Sequence, residues 1–239
     1  MVCGPHAYRV KGQASTNISR LNVCKVVAAD TASKGDTKVP VVYGDKLSGN
    51  CYKIALLFSQ LDIAADWRNV YVTQGETRTS EFLARNPAGQ IPVVELDDGK
   101  VLTQSNAILH YFAAGTAFLP EDKLSQFRIL EWQFFEQYSH EPTIAVRRFI
   151  NKFLGIPEER MAEYEAKEAG SYRALGVMEK TLTKNLFLVA DQYSIADISL
   201  YAYTHVAHEA GLDLQAYPGI RQWLDAVASQ EGYLAMETS

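Results

Sequence analysis

The first sharp pattern of apolar and polar positions lies at Val39-Pro40-Val41-Val42-Tyr43, a β-branched and aromatic run that reads as a strand. Cys51 to Leu61 follows, strongly apolar and free of Gly and Pro, and predicts a buried helix. Trp67 to Val72 predicts a second strand. Thr79-Ser80-Glu81-Phe82-Leu83-Ala84 predicts a short helix with a hydroxyl cap. Ile91 to Leu96 and Val101-Leu102-Thr103 flank the turn Asp97-Asp98-Gly99-Lys100, where Asp-Gly supplies the positive-φ position of a tight hairpin. A helix from about Ser105 to Ala114 completes the order β-α-β-α-β-β-α.

That order belongs to a thioredoxin-like domain, a mixed sheet with helices on both faces. Gly115 to Glu121, punctuated by Gly115 and Pro120, reads as a linker. Beyond it no strand pattern appears. Leu124, Phe127, Leu130, Phe134 and Tyr138 recur at helical spacing, as do Met161, Tyr164, Tyr172, Leu175, Met178 and Leu182. Ser194-Ile195-Ala196-Asp197 is a variant capping box that opens a further helix. The fold class is therefore α/β plus all-α. A thioredoxin-like domain occupies 39–114, a linker 115–121 and an all-helical domain 122–239, after an N-terminal extension over 1–38.

Composition narrows the partners. The 239 residues are 47% apolar and 21% charged, with a net charge of −5, and no dense Lys/Arg block interleaves with aromatics. This argues against nucleic acid or an anionic membrane as the main partner. No apolar run approaches the roughly 20 residues that span a bilayer. Cys3, Cys24 and Cys51 are odd in number and far apart, so neither a disulfide framework nor a zinc site is indicated. A reducing, cytoplasmic setting fits. The segment 1–38 holds six Lys/Arg, Arg9, Lys11, Arg20, Lys25, Lys34 and Lys38, but only the acids Asp30 and Asp36. It reads as a disordered or loosely docked extension, with an organelle transit peptide as the alternative.

Asn86-Pro87-Ala88-Gly89-Gln90-Ile91-Pro92-Val93-Val94-Glu95-Leu96-Asp97-Asp98-Gly99, followed by Leu102-Thr103-Gln104-Ser105-Asn106-Ala107-Ile108, resembles the glutathione-binding half of a glutathione S-transferase. With the later Ser194 box, the resemblance runs from about Val41 to Gln230. Read by their own chemistry, Pro92 has no N–H and restricts Ile91 to extended geometry, which suits a cis bond that turns the Ile91 backbone outward. Gln104-Ser105 begins a helix, whose free N–H groups and positive dipole end favour an anion. By the resemblance, Ile91 and Pro92 bind the cysteinyl part of glutathione and Ser105 holds the γ-glutamyl carboxylate. Gln104 then lies near the amino end, and Gln90 reaches the glycyl carboxylate.

The stretch Leu47-Ser48-Gly49-Asn50-Cys51-Tyr52-Lys53 sits between the first strand and the first helix. The Ser48 hydroxyl and the helix N-terminus would lower the pKa of a thiol bound there by about two units. The S-x-x-C spacing resembles serine-type transferases of the theta, beta and nu kind. It also occupies the place of C-x-x-C in thioredoxin-like redox proteins, with the outer Cys replaced. Ser48 is the leading contact for the thiol, and Asn50 and Cys51 are the alternatives. Cys51 also reads as a buried small hydrophobe.

The resemblance implies a cytoplasmic homodimer that takes glutathione as co-substrate, needs no metal, and conjugates the thiolate to a small hydrophobic electrophile. Glutathione-dependent disulfide or peroxide reduction is one alternative. A non-catalytic ligand carrier or interaction module is another. His205 and His208 share a helix face but lack a third metal ligand. Arg147-Arg148 reads as a solvated face, and Tyr138, His140 and Arg128 as candidates for the pocket wall facing the thiol.

Overall fold

The computed structural model describes residues 39–189 and 191–237. The basic extension over 1–38, with Cys3 and Cys24, lies outside the described residues. Strands β1 (Val41–Gly44), β2 (Asp66–Asn69), β3 (Val93–Glu95) and β4 (Val101–Thr103) form one sheet in the order β2-β1-β3-β4. β1 runs parallel to β2 and antiparallel to β3, and β3 and β4 are antiparallel. The expected strand over 67–72 shifts to Asp66–Asn69, because 3₁₀ turns at Val72–Gln74 and Glu76–Arg78 take the chain out of the ladder.

The period-2 alternation of the strands sorts the two faces of the sheet. Val42 and Val94, paired in register, join the main core with α1 (Gly49–Gln60) and α3 (Ser105–Ala113). Tyr43 and Val93 point the other way, onto Phe82 of α2 (Ser80–Arg85). The Thr79 hydroxyl accepts the Phe82 N–H at 3.2 Å, which is the cap that the sequence indicated. The sheet and its helices are thioredoxin-like, and the chain continues as helices.

Those helices are α4 (Lys123–Phe135), α5 (Glu141–Arg148), α6 (Glu158–Ala166), α7 (Glu168–Leu182), α8 (Ile195–Thr204) and α9 (Pro218–Ala228). Every residue of α8 is buried, so this helix forms the axis of the helical half. Its capping box is present: Asp197 accepts the Ser194 N–H at 3.0 Å while the Ser194 hydroxyl accepts from Ala196. Asp197 also accepts from Trp223 of α9 and from the Leu188 N–H, each at 2.9 Å. Between α4 and α5 the helix widens into a π segment, Glu136–His140. Pro142 follows in the first turn of α5, where its missing N–H and its ring would break an unwidened helix.

The first apolar stripe of the helical half takes its direction here, and one expectation is overturned. Leu124, Phe127, Leu130, Phe134 and Tyr138 are 41–88% exposed, so this stripe faces outward, and Ile129, Gln133, Glu136 and His140 turn inward instead. Arg147 and Arg148 are buried rather than solvated. Arg147 donates to the Ala210 and Tyr164 carbonyls and stacks 3.8 Å from the Tyr164 ring. Arg148 pairs with Glu209 at 2.6 Å and donates to the Leu47 carbonyl.

Candidate functional site

Two adjoining cavities lie along the edge where the sheet meets α5. The larger, about 330 Å³, is polar and is lined by Asn50, Arg78, Asn86, Gln90, Pro92, Gln104, Ser105 and Glu141, among others. The smaller, about 110 Å³, is walled by Ala145, Phe149, Phe153 and Tyr203 and includes Ser48, Asp45 and Arg148. Val72 and Ile91 line both. A ligand filling the first cavity thus meets the second at Ile91.

The Ile91–Pro92 bond is cis. Gly89 precedes it at φ 63°, a left-handed conformation that glycine adopts without a steric cost. Asn86 braces this loop from inside. Its side chain donates to the Gln90 carbonyl at 2.7 Å and accepts the Ala88 N–H at 3.2 Å.

At the opposite wall Gln104 adopts φ 68°, a left-handed conformation rare for a side chain of this kind. Such outliers concentrate at ligand-binding positions. The turn delivers Ser105 to the start of α3, where the first-turn N–H groups have no partner within the helix. Gln104 reaches across to Gln90, side chain to side chain, at 3.4 Å.

The floor is a polar network that draws on both halves of the chain. Ser105 Oγ donates to Asn50 Oδ1 at 3.2 Å, and Asn50 Nδ2 donates to Glu141 Oε1 at 3.3 Å. Behind them Lys53 Nζ pairs with Glu136 at 3.0 Å, both side chains fully buried, and donates to Ser105 Oγ and Asn106 Oδ1 at 3.3 Å each. Burial, reinforced by the nearby Glu136 charge, raises the Glu141 carboxyl above its ordinary range. With its hydroxyl committed to Asn50, Ser105 offers an anion its backbone N–H, and a cation stands one residue behind.

Ser48 caps α1 with extended backbone and makes no side-chain cap bond. Ser48 lines the second cavity together with Ile91, and its side chain hydrogen-bonds the Cys51 thiol. Cys51 is fully buried, its sulfur so close to Gly44 that a Cβ there would lie 2.7 Å away. Burial pushes the thiol up to about 12 against a smaller lowering by its hydrogen bond to Ser48. Cys51 accordingly lines neither cavity, and of its two readings the small hydrophobe fits this environment. Ser48, Asn50, Gln90, Ile91, Pro92, Gln104 and Ser105 all line one cavity or the other.

The pocket wall differs from expectation. Tyr138 points to solvent, Arg128 pairs with Glu131 at the surface, and His140 is buried against Thr204 Oγ1 at 2.9 Å. None of the three lines either cavity. His205 turns into the interior, its Nδ1 on the Tyr201 carbonyl, and no cluster of three metal-ligating side chains occurs among the described residues. Arg78, Glu141, Phe149, Phe153 and Tyr203 escaped the reading of the sequence. Arg78 and Glu141 sit in turns and helix starts without a motif, whereas Lys53 lies inside the stretch that first drew attention.

The family model described as "Glutathione S-transferase, N-terminal domain" matches residues 47–114, and "Glutathione S-transferase, C-terminal domain" matches 138–231. A crystal structure of a glutathione S-transferase from Pseudomonas fluorescens Pf-5 is 52% identical with a TM-score of 0.82, over 83% of this chain and 99% of that one. A glutathione transferase from Burkholderia graminis, with two glutathione molecules bound per subunit, is 25% identical with a TM-score of 0.71, over 82% and 85% of the two chains. The disulfide-bond oxidoreductase YfcG of Escherichia coli is 26% identical over 76% of this chain and 86% of its own. The chain belongs to the glutathione S-transferase family.

Proposed function

We propose that this protein binds glutathione in the polar cavity and conjugates its thiolate to a small apolar electrophile held in the second. The adjoining cavities that share Ile91 carry this reading. The carboxylate of the γ-glutamyl end meets the free N–H groups of α3, with Lys53 behind Ser105. Arg78 and Gln90 face the glycyl carboxylate. Glu141, the one carboxylate among the lining residues of that cavity, faces the ammonium group. The cysteinyl part then lies at Ile91 with its sulfur toward the Ser48 hydroxyl, which stabilises the thiolate by donating to it. Holding both reactants in contact supplies the remainder of the rate gain.

A homodimer joined through α3 and α4 belongs to the same reading. Its support is the outward stripe of Phe127, Leu130, Phe134 and Tyr138 beside a groove of about 370 Å³ lined by Ala107, His110, Leu130 and Phe134. Disulfide reduction in the same cleft, favoured by the likeness to the oxidoreductase YfcG, would use the thiol of bound glutathione rather than Cys51.

The test is a titration of ultraviolet thiolate absorbance in the glutathione complex, backed by calorimetry. In the parent the bound thiol ionises about one to two pH units below the free value near 8.5, and in Ser48→Ala most of that lowering disappears. No heat of binding, or the same lowering in both proteins, would defeat the proposal.

A further inference from the structure

After α9, residues 233–237 lie back against α1 and the loop before it. The Tyr233 and Tyr201 hydroxyls meet at 2.9 Å, the Leu234 carbonyl accepts the Tyr52 O–H at 2.6 Å, and Glu237 pairs with Lys46 at 2.8 Å. Met236 completes the set. Its sulfur accepts from Arg148 Nη2 at 3.5 Å, while the same guanidinium donates to the Leu47 carbonyl at 2.7 Å and to Glu209 at 2.6 Å. Arg148 thus stands between this segment and the loop that leads to Ser48.

The bonds of this strap are unequal. Both side chains of the Lys46–Glu237 pair are exposed, where an ion pair contributes little. A thioether sulfur is a weak acceptor. Yet the cation it faces is only 2% exposed, and a hydrogen bond from a charged donor to oxygen is among the strong ones. A desolvated guanidinium therefore spends one donor on a poor acceptor. Met236 is itself partly exposed, so a small oxidant in solution reaches it, whereas Met178 is fully buried. Met161, on α6, is 40% exposed, and Met1 lies outside the described residues.

Going beyond the glutathione site, we propose that Met236 is a modification site at which hydrogen peroxide forms methionine sulfoxide, and that the sulfoxide fastens residues 233–237 to Arg148. The sulfur lone pair attacks one peroxide oxygen and the O–O bond breaks. The second oxygen leaves as water, carrying the proton of the first, so sulfur is oxidised by two electrons and peroxide is reduced. Rotation about the three flexible torsions of the side chain turns the new oxygen onto Nη2. A charge-assisted bond of about 2.8 Å then replaces the sulfur contact. Oxidation of methionine ordinarily loosens packing, because it makes an apolar side chain polar. The buried cation beside Met236 reverses that sign. Sulfoxide reductases remove the oxygen again, so the fastening is reversible.

The test treats Met161→Leu protein with hydrogen peroxide and locates the added oxygen by peptide mass spectrometry. Chymotrypsin cleavage after Tyr233 and Leu234 then reports how often the strap opens. Each rate is divided by that of the same protein unfolded in urea, which cancels any direct effect of the sulfoxide on the protease. The expected result is one oxygen on Met236, cleavage slowed about tenfold, and the original rate restored by methionine sulfoxide reductases with dithiothreitol. Protein carrying Met236→Leu as well keeps an apolar side chain there and shows no response to peroxide. Cleavage unchanged or faster after oxidation would overturn the proposal, as would a Met236 that takes up no oxygen in the folded chain, or slowing that persists with Met236→Leu.

Discussion

Lys53→Met isolates the buried ion pair beneath the cleft. Methionine follows the unbranched course of the lysine stem but removes the cation. The fully buried Glu136 carboxylate then keeps only amide donors, Asn106 at 3.0 Å and Gln137 at 2.8 Å. Removing one partner of such a pair costs about 3–5 kcal/mol, because the remaining charge stays desolvated. Against a total stability of about 5–15 kcal/mol, the variant stays folded at low temperature with a large fall in its urea midpoint. Lys53→Met with Glu136→Gln removes the stranded charge yet keeps an acceptor for Asn106 and Gln137. That double variant should recover at least about 2 kcal/mol over the single one, a coupling measurable in a double-mutant cycle.

Binding should not follow stability back. Lys53 also donates to Ser105 Oγ at 3.3 Å, and Ser105 holds Asn50 in turn, so the double variant loses the cation behind the anion site. Its glutathione affinity should fall by about tenfold, or about 1.4 kcal/mol. Urea unfolding at unchanged m-value and glutathione calorimetry on Lys53→Met, Glu136→Gln and the double variant make the assay. A single-variant cost below about 1 kcal/mol, or a double variant no more stable than the single one, would refute the reasoning.

Cys51 should resist alkylation in the native protein at pH 8, since its thiol is buried and ionises only near 12; mass spectrometry of the native and urea-unfolded chain after iodoacetamide treatment checks this. Phe134→Glu should shift the protein to monomer in analytical ultracentrifugation, because it places a charge in the middle of the exposed stripe on α4. His140 and His205 are both buried and depressed to about 4, so they stay neutral while the unfolded chain takes up protons below about 6.5. The stability they contribute is present above that pH and is lost as pH falls toward 4. Asp197, raised to about 6, opposes them over part of the same window. His205→Phe should therefore flatten the loss of urea midpoint between pH 6.5 and 4.5 by up to one proton's worth of slope, and an unchanged slope would count against the burial argument.

The sheet and the loop ahead of β3 were legible because their signals are local. Alternation at Val41-Val42-Tyr43, Asp-Gly at the hairpin and Ile91-Pro92 ahead of β3 each act within a few residues, and the structure obeys them. The site's other half was hidden because it depends on which helix face turns inward. Periodicity along α4 marks an apolar stripe at Leu124, Phe127, Leu130 and Phe134, but a stripe says only that one face seeks an apolar neighbour, not where that neighbour lies. In the structure the inward face of α4 and its π turn mixes the apolar Ile129 with buried Gln133, Glu136 and His140. Gln133 donates to Ser199, Glu136 takes Lys53, and His140 meets Thr204. Each bonds a residue far away in the chain, so no window of sequence could reveal the pairing. A helix that presents an apolar stripe outward conflicts with the usual pattern unless that face is also covered. That conflict ties the dimer proposal to the site itself, since the π turn that places Glu136 under the cleft also carries Tyr138 outward, on the same side as Phe134 of α4.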